Sequence, residues 1–222
     1  ESIGEVTRLP VESKQPYKIQ KLKSKIQQLV ECDEIKLPTE RRMFTKQFKG
    51  ISLKTLKEFQ AFTTQQLQLQ NYICFPVYQF GKLKYIEGRL TISSATQSKY
   101  YRRPQHASTM EILFPLDKVK NTNYIILVEG IFDLLNMWQL GFHNTLCLFG
   151  ATNFNRKKLE ILDRIGVTKV DIMMDSDTPG TLAAEKISAL LDTRNIYSRI
   201  IKLSVGKDPG DLDLEEAKEA LI

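Results

Sequence analysis

The sequence predicts an α/β protein: a parallel sheet of about four strands with flanking helices, preceded by a basic part of mixed α+β character. Three observations predict it. From residue 122 onward, short apolar and β-branched runs alternate with amphipathic stretches of about 10 residues, the rhythm of strand and covering helix in a parallel sheet. Earlier, two β-rich runs, Tyr72 to Tyr78 and Leu83 to Ile92, flank a turn at Gly81 and read as a hairpin or part of a small sheet. The charge divides at the same place. Residues 1–122 hold 21 Lys and Arg against 11 Asp and Glu, net +10, and the remainder holds 11 against 15, net −4. The expected boundary therefore separates a basic subdomain, 1–121, from a second domain, 122–222. A basic half attracts polyphosphate backbones, whereas carboxylates gathered at specific places hold divalent metal.

Composition narrows the class. The 222 residues are 42% hydrophobic and 26% charged, enough for a sizeable core. No apolar run approaches the roughly 18 residues that span a bilayer, and Glu1 to Pro10 lack the basic-then-apolar order of a signal peptide, so a cytoplasmic protein with no membrane partner is expected. The three cysteines, Cys32, Cys74 and Cys147, lie far apart without a CxxC pair. With only His106 and His143 to join them, they read as reduced, mostly buried thiols rather than a zinc site.

Along the chain, the first 16 or so residues are expected to be flexible. Lys18 to Val30 has apolar residues near helical spacing and predicts a basic amphipathic helix. Pro38-Thr39-Glu40 predicts a helix start, with the helix running to about Phe48 and stopping at Gly50; Ser52 predicts the cap of another, from Leu53 to Phe59. After the hairpin, the polar stretch around Lys99 to Pro104 reads as a surface loop. The second domain then gives strands at Tyr124–Val128, Thr145–Leu148, Lys169–Met174 and Ser198–Leu203. Helices are expected at Phe132–Leu140, Asn155–Ile165 and Thr181–Leu191, with Trp138 in the core.

Acidic residues follow three of these strands: Glu129 after the first, Asp175 and Asp177 after the third, Asp208 and Asp211 beyond the last. Ligands of parallel α/β sheets bind outside the carboxyl ends of the strands, so these five carboxylates are expected to converge. Each alone reads as a helix cap or a solvated loop residue. Gathered, they repel unless a hard divalent cation such as Mg²⁺ or Mn²⁺ neutralises them, and such an ion leaves positions open for phosphate oxygens.

The order Glu129-Gly130-x-x-Asp133, Leu148-Phe149-Gly150-Ala151-Thr152, Asp175-x-Asp177-x-x-Gly180 and Lys207-Asp208-Pro209-Gly210-Asp211 resembles the Toprim domain, shared by DnaG-type primases, topoisomerases and some nucleases. Upstream, Lys49-Gly50-Ile51-Ser52, then Phe75-Pro76, Gly88-Arg89, Lys99-Tyr100 and Pro104 are similar to the series that precedes that domain in DnaG-type primases. The resemblance implies a DNA primase catalytic core that joins ribonucleoside triphosphates on a single-stranded DNA template. It implies Mg²⁺ or Mn²⁺ held by Glu129, Asp175 and Asp177, assisted by Asp208 and Asp211. It also implies catalytic and nucleotide-binding roles for Arg89 and Lys99, and a replicative helicase that docks through a region absent from this chain. Arg102 and Arg103 stand where the family carries Asn-Ser, and join Arg89 and Lys99 as candidate nucleic-acid or nucleotide contacts. Tyr100 and Tyr101 offer faces for stacking on bases, or for packing on the sheet. Two alternatives stay open at this point: a non-catalytic Toprim module that binds single-stranded DNA or docks a partner, and a Toprim nuclease.

Overall fold

In a computed structural model of the chain, residues 35–120, 122–204 and 206–221 are described. The expected flexible opening and the basic helix at 18–30 lie outside these residues. The first layer is an antiparallel sheet of β1 (Arg41–Met43), β2 (Phe62–Thr64), β3 (Tyr72–Gln79), β4 (Lys82–Leu90) and β5 (Tyr100–Arg103), in that spatial order. Between β1 and β2 lies α1 (Leu53–Glu58), capped as expected by Ser52, whose hydroxyl accepts from the Thr55 amide at 3.2 Å.

Two expectations fail in this layer. The helix expected at 38–48 is instead strand β1, whose residues pair with Phe62 to Thr64. Phe44 packs edge-on with Phe48 and Phe48 edge-on with Phe132, and the left-handed Lys49 and Gly50 turn the chain so that Phe48 and Ile51 bridge. Aromatic packing across the fold overrides a local start signal made by three residues. The loop expected at 99–104 contains β5, whose polar composition is that of an edge strand: it pairs on one side only, with Ile86 to Arg89 of β4.

The second layer is a four-stranded parallel sheet: β6 (Tyr124–Val128), β7 (Thr145–Cys147), β8 (Lys169–Met173) and β9 (Tyr197–Ile200), in the order β7-β6-β8-β9. Its helices are α2 (Ile131–Gln139), α3 (Arg156–Arg164), α4 (Thr178–Asp192) and α5 (Leu214–Leu221), with a short 3₁₀ turn at Pro209–Asp211 before α5. Strand alternation explains why both faces are apolar. Ile125 and Leu127 point to α3 and α4, against Leu159, Leu162, Ile187 and Leu191. Ile126 and Val128 point the other way, into a cluster that takes in Leu134 and Trp138 of α2 and Ile73, Phe75 and Tyr85 of the antiparallel sheet. The two layers thus share one core. The segment between them pairs with the edge of the parallel sheet, where Phe114 and Cys147 form an antiparallel bridge.

Trp138 is 4% exposed and buried as expected, its indole donating to Glu58 at 2.9 Å. Cys74 and Cys147 are both buried free thiols, in different clusters. No helix among the described residues is long and apolar enough to cross a membrane.

Candidate active site

Strand ends and helix starts bring the carboxylates together. Glu129 follows β6, Asp175 follows β8, and Asp208 opens the 3₁₀ turn before α5. Asp133 joins them from the first turn of α2, where its Oδ2 accepts from the Gly130 amide at 2.7 Å and so caps the helix that carries it. Asp133, Asp175 and Asp208 each present a carboxylate oxygen within 4.8 Å of the others.

Close approach of the backbone makes this possible. A Cβ on Gly210 would meet Asp208 Oδ1 at 2.9 Å and Asp133 Oδ1 at 3.0 Å, and one on Gly180 would meet the Asp175 carbonyl oxygen at 2.2 Å. Gly180→Ala is therefore expected to push the Asp175 backbone aside, costing about 1–3 kcal/mol in stability. Chemical denaturation together with Mn²⁺ titration checks this; both stability and metal affinity should fall.

Electrostatics mark the cluster as strained without a cation. Asp133 is pushed up to about 7, first by burial and then by Asp175 and Asp208. Asp175 and Asp208 are both raised above the ordinary carboxylate range, mainly by burial and then by neighbouring acids, and Glu129 is raised by burial and by Asp175. Oδ1 of Asp175 is buried with no hydrogen-bond partner among the described residues. An orphaned carboxylate oxygen beside two acids at ligand spacing suits a hard divalent ion of the Mg²⁺ or Mn²⁺ type with oxygen ligands.

A pH dependence follows. Because Asp133 in the fold holds its proton up to about 7 while the unfolded chain releases it near the model-peptide value of about 3.9, the native state binds more protons across that window. Stability of the metal-free chain is therefore expected to fall as pH rises from about 4 through 7, by on the order of a few kcal/mol. Denaturant melts along a pH series, with and without Mg²⁺, check the sign; the ion should flatten or reverse the slope.

Opposite the acids stands a basic wall, and the two enclose a cavity of about 670 Å³ lined by the antiparallel sheet on one side and by the turns and helix starts beyond the parallel strands on the other. Arg89 of β4 and Lys99 before β5 line it, and Lys99 lowers the proton affinity of Asp175 and Asp208. The guanidinium carbon of Arg89 lies 4.7 Å from the centre of the Tyr100 ring, and its Nε is buried without a partner among the described residues. Lys49 lines the same wall, its proton affinity lowered by burial and by Arg89 and Lys99.

The candidate residues divide by the alternation of β5. Tyr100 and Arg102 face the cavity. Arg102 is not free there, because its Nε donates at 2.8 Å to Glu87, which is 2% exposed and pushed up to about 7 by burial against the pull of Arg102. Tyr101 and Arg103 face the other side: Tyr101 packs on Tyr72, and Arg103 hydrogen-bonds Gln66 away from the cavity. Asp211 lines the cavity. Asp177 is outside its lining, is exposed, and caps α4 by accepting from the Gly180 amide at 2.7 Å, although its charge is felt at Glu129 and Asp175.

Asp133 and Lys49 were not among the expected site residues. Both stand inside motifs read from the sequence, and the missing signal was depth: Asp133 occupies a helix N-terminal turn like any capping acid, and only the sheet packing shows that it is buried beside Asp175.

Comparison with known proteins agrees with this fold. A family described as Toprim-like matches residues 126–213. The DNA primase of Chlamydia pneumoniae is 30% identical over 157 residues, which cover 68% of this chain and 26% of that protein. Among solved structures, the zinc-binding and RNA polymerase domains of the Aquifex aeolicus primase superpose with a TM-score of 0.62 at 22% identity, covering 92% of this chain and 47% of that one. The chain is a relative of the DNA primases and has the fold of their catalytic core. A DnaG primase catalytic domain bound to single-stranded DNA is similar too, with a TM-score of 0.64 at 19% identity over 78% of this chain and 67% of that one. This primase-type core spans about a quarter of the length of the curated relatives it matches.

Proposed function

We propose that the chain is the polymerising core of a DNA primase, which extends short RNA primers from ribonucleoside triphosphates on a single-stranded DNA template. The observation that carries this reading is the buried Asp175 carboxylate oxygen, without a partner among the described residues, set among Asp133 and Asp208 and facing Lys49, Arg89 and Lys99 across one cavity. Asp133, Asp175 and Asp208, with Glu129 and Asp211 close by, would hold Mg²⁺ or Mn²⁺, which would supply positive charge to phosphate oxygens. Lys49, Arg89 and Lys99 hold the triphosphate by charge-assisted contacts. Glu129, whose proton affinity burial has raised, accepts the proton of the attacking 3′-hydroxyl. Asp177 acts by holding the start of α4, and so the turn that carries Asp175. The single-stranded template follows the basic antiparallel layer, whose cations offer the counter-charge that a phosphate backbone needs. The whole enzyme works in the cytoplasm and meets a replicative helicase through a region outside this chain.

Incorporation of labelled ribonucleotides on single-stranded DNA with a supplied primer tests this. Extension that requires Mg²⁺ or Mn²⁺ is the expected result. Degradation of the DNA without extension makes the chain a Toprim nuclease, and tight DNA binding with neither reaction makes it a binding module.

A further inference from the structure

Helix α2 carries Asp133 on one turn and two amide side chains on the next. Asn136, 6% exposed, donates through Nδ2 to the carbonyl oxygens of Pro209 at 2.9 Å and Leu212 at 2.8 Å. Its Oδ1 accepts from Gln139 Nε2 at 2.9 Å. The same nitrogen reaches the Gly50 carbonyl at 3.1 Å, and Gln139 Oε1 accepts from the Ser52 amide at 3.0 Å. Every polar atom of both amides is engaged. The two chain segments they grip are the turn that bears Asp208 and the turn that bears Lys49.

Burying an amide costs free energy unless all its hydrogen bonds are made, and an apolar side chain would satisfy packing alone at this position. What an amide adds is direction: two donors fix the carbonyls of Pro209 and Leu212, which bracket Gly210. That glycine already lies so close to α2 that a Cβ would stand 3.0 Å from Asp133 Oδ1. Small displacements of this turn separate Asp208 from Asp133 by distances that matter for a ligand set confined to 4.8 Å.

We propose that Asn136 and Gln139 are positioning residues. Asn136 sets the Asp208 carboxylate at ligand distance from Asp133, and Gln139 ties the Lys49 turn to the same helix, so that one helix aligns both walls of the cavity. The inference rests on the reading of the acidic cluster as a divalent-metal site.

The test is Mn²⁺ titration of the whole chain, followed by electron paramagnetic resonance, for wild type, Asn136→Ala, Asp208→Asn and the double variant, with metal-free unfolding recorded for each. Loss of Asn136 is expected to weaken Mn²⁺ binding by about tenfold or more. Because Asn136 acts through Asp208, the double variant is expected to bind no worse than Asp208→Asn alone. Wild-type affinity in Asn136→Ala, or a loss that adds in full to that of Asp208→Asn, overturns the proposal. Should the alanine unfold under the titration conditions, Asn136→Ser, which keeps a shorter donor, takes its place and the same two criteria apply. The outcomes separate this inference from the polymerase reading. Mn²⁺ binding that depends on Asn136 in a chain that incorporates no ribonucleotide leaves the alignment standing and sinks the polymerase; polymerase activity with Mn²⁺ affinity indifferent to Asn136 does the reverse.

Discussion

Asp175→Asn is expected to reduce metal-dependent ribonucleotide incorporation by about a thousand-fold while DNA binding changes little. The substitution keeps size and shape but removes the charge of the carboxylate whose Oδ1 has no partner among the described residues. A metal contributes several kcal/mol of charge stabilisation in the transition state. Losing about 4 kcal/mol of it, at about 1.4 kcal/mol per tenfold, gives that factor. DNA affinity should persist because it rests on the basic wall, and removing one negative charge there does not weaken phosphate binding. Primer extension and fluorescence-anisotropy binding on the same preparation check both halves. Undiminished extension would remove Asp175 from the chemistry.

Phe59→Ala is expected to destabilise the whole of residues 36–222 by about 3–5 kcal/mol, and to do so in one cooperative transition. Phe59 is 2% exposed and stacks edge-on with Trp138 at 5.2 Å and with Phe114 at 5.8 Å, so it touches both the helix next to the parallel sheet and the segment that bridges to β7. A cavity left there is shared by both layers. Denaturant unfolding followed by Trp138 fluorescence and by far-ultraviolet circular dichroism checks the prediction. Coincident midpoints that fall together are expected, whereas two separated transitions would mean that the boundary near residue 121 divides independent folding units.

The parallel sheet was legible because strand and helix there are set by local periodicity: the starts of β6, β7 and β8 match their apolar runs, and Ser52 caps α1 as its position suggests. The antiparallel layer was less so. Arg41 to Met43 and Tyr100 to Arg103 are polar edge segments whose strand character comes from partners far along the chain, Thr64 to Phe62 and Ile86 to Arg89, which no local pattern reveals. At the site, the convergence of Glu129, Asp175, Asp208 and Asp211 followed from strand ends, which the topology of parallel sheets fixes. Burial did not follow. Arg102, in sequence a candidate nucleic-acid contact, is paired with Glu87, while Asp133, in sequence only a motif position, lies among the metal-type acids.

Arg89 shows how the basic wall is prepared in advance. Its guanidinium is stacked on Tyr100 and its Nε is shut away from solvent before any ligand arrives. A long cationic side chain ordinarily surrenders on the order of 2 kcal/mol of rotamer entropy when it closes on an anion. Here folding has already taken much of that loss, so on the proposed reading an incoming phosphate would meet a donor whose orientation is settled, and a larger share of the contact enthalpy would be retained as affinity.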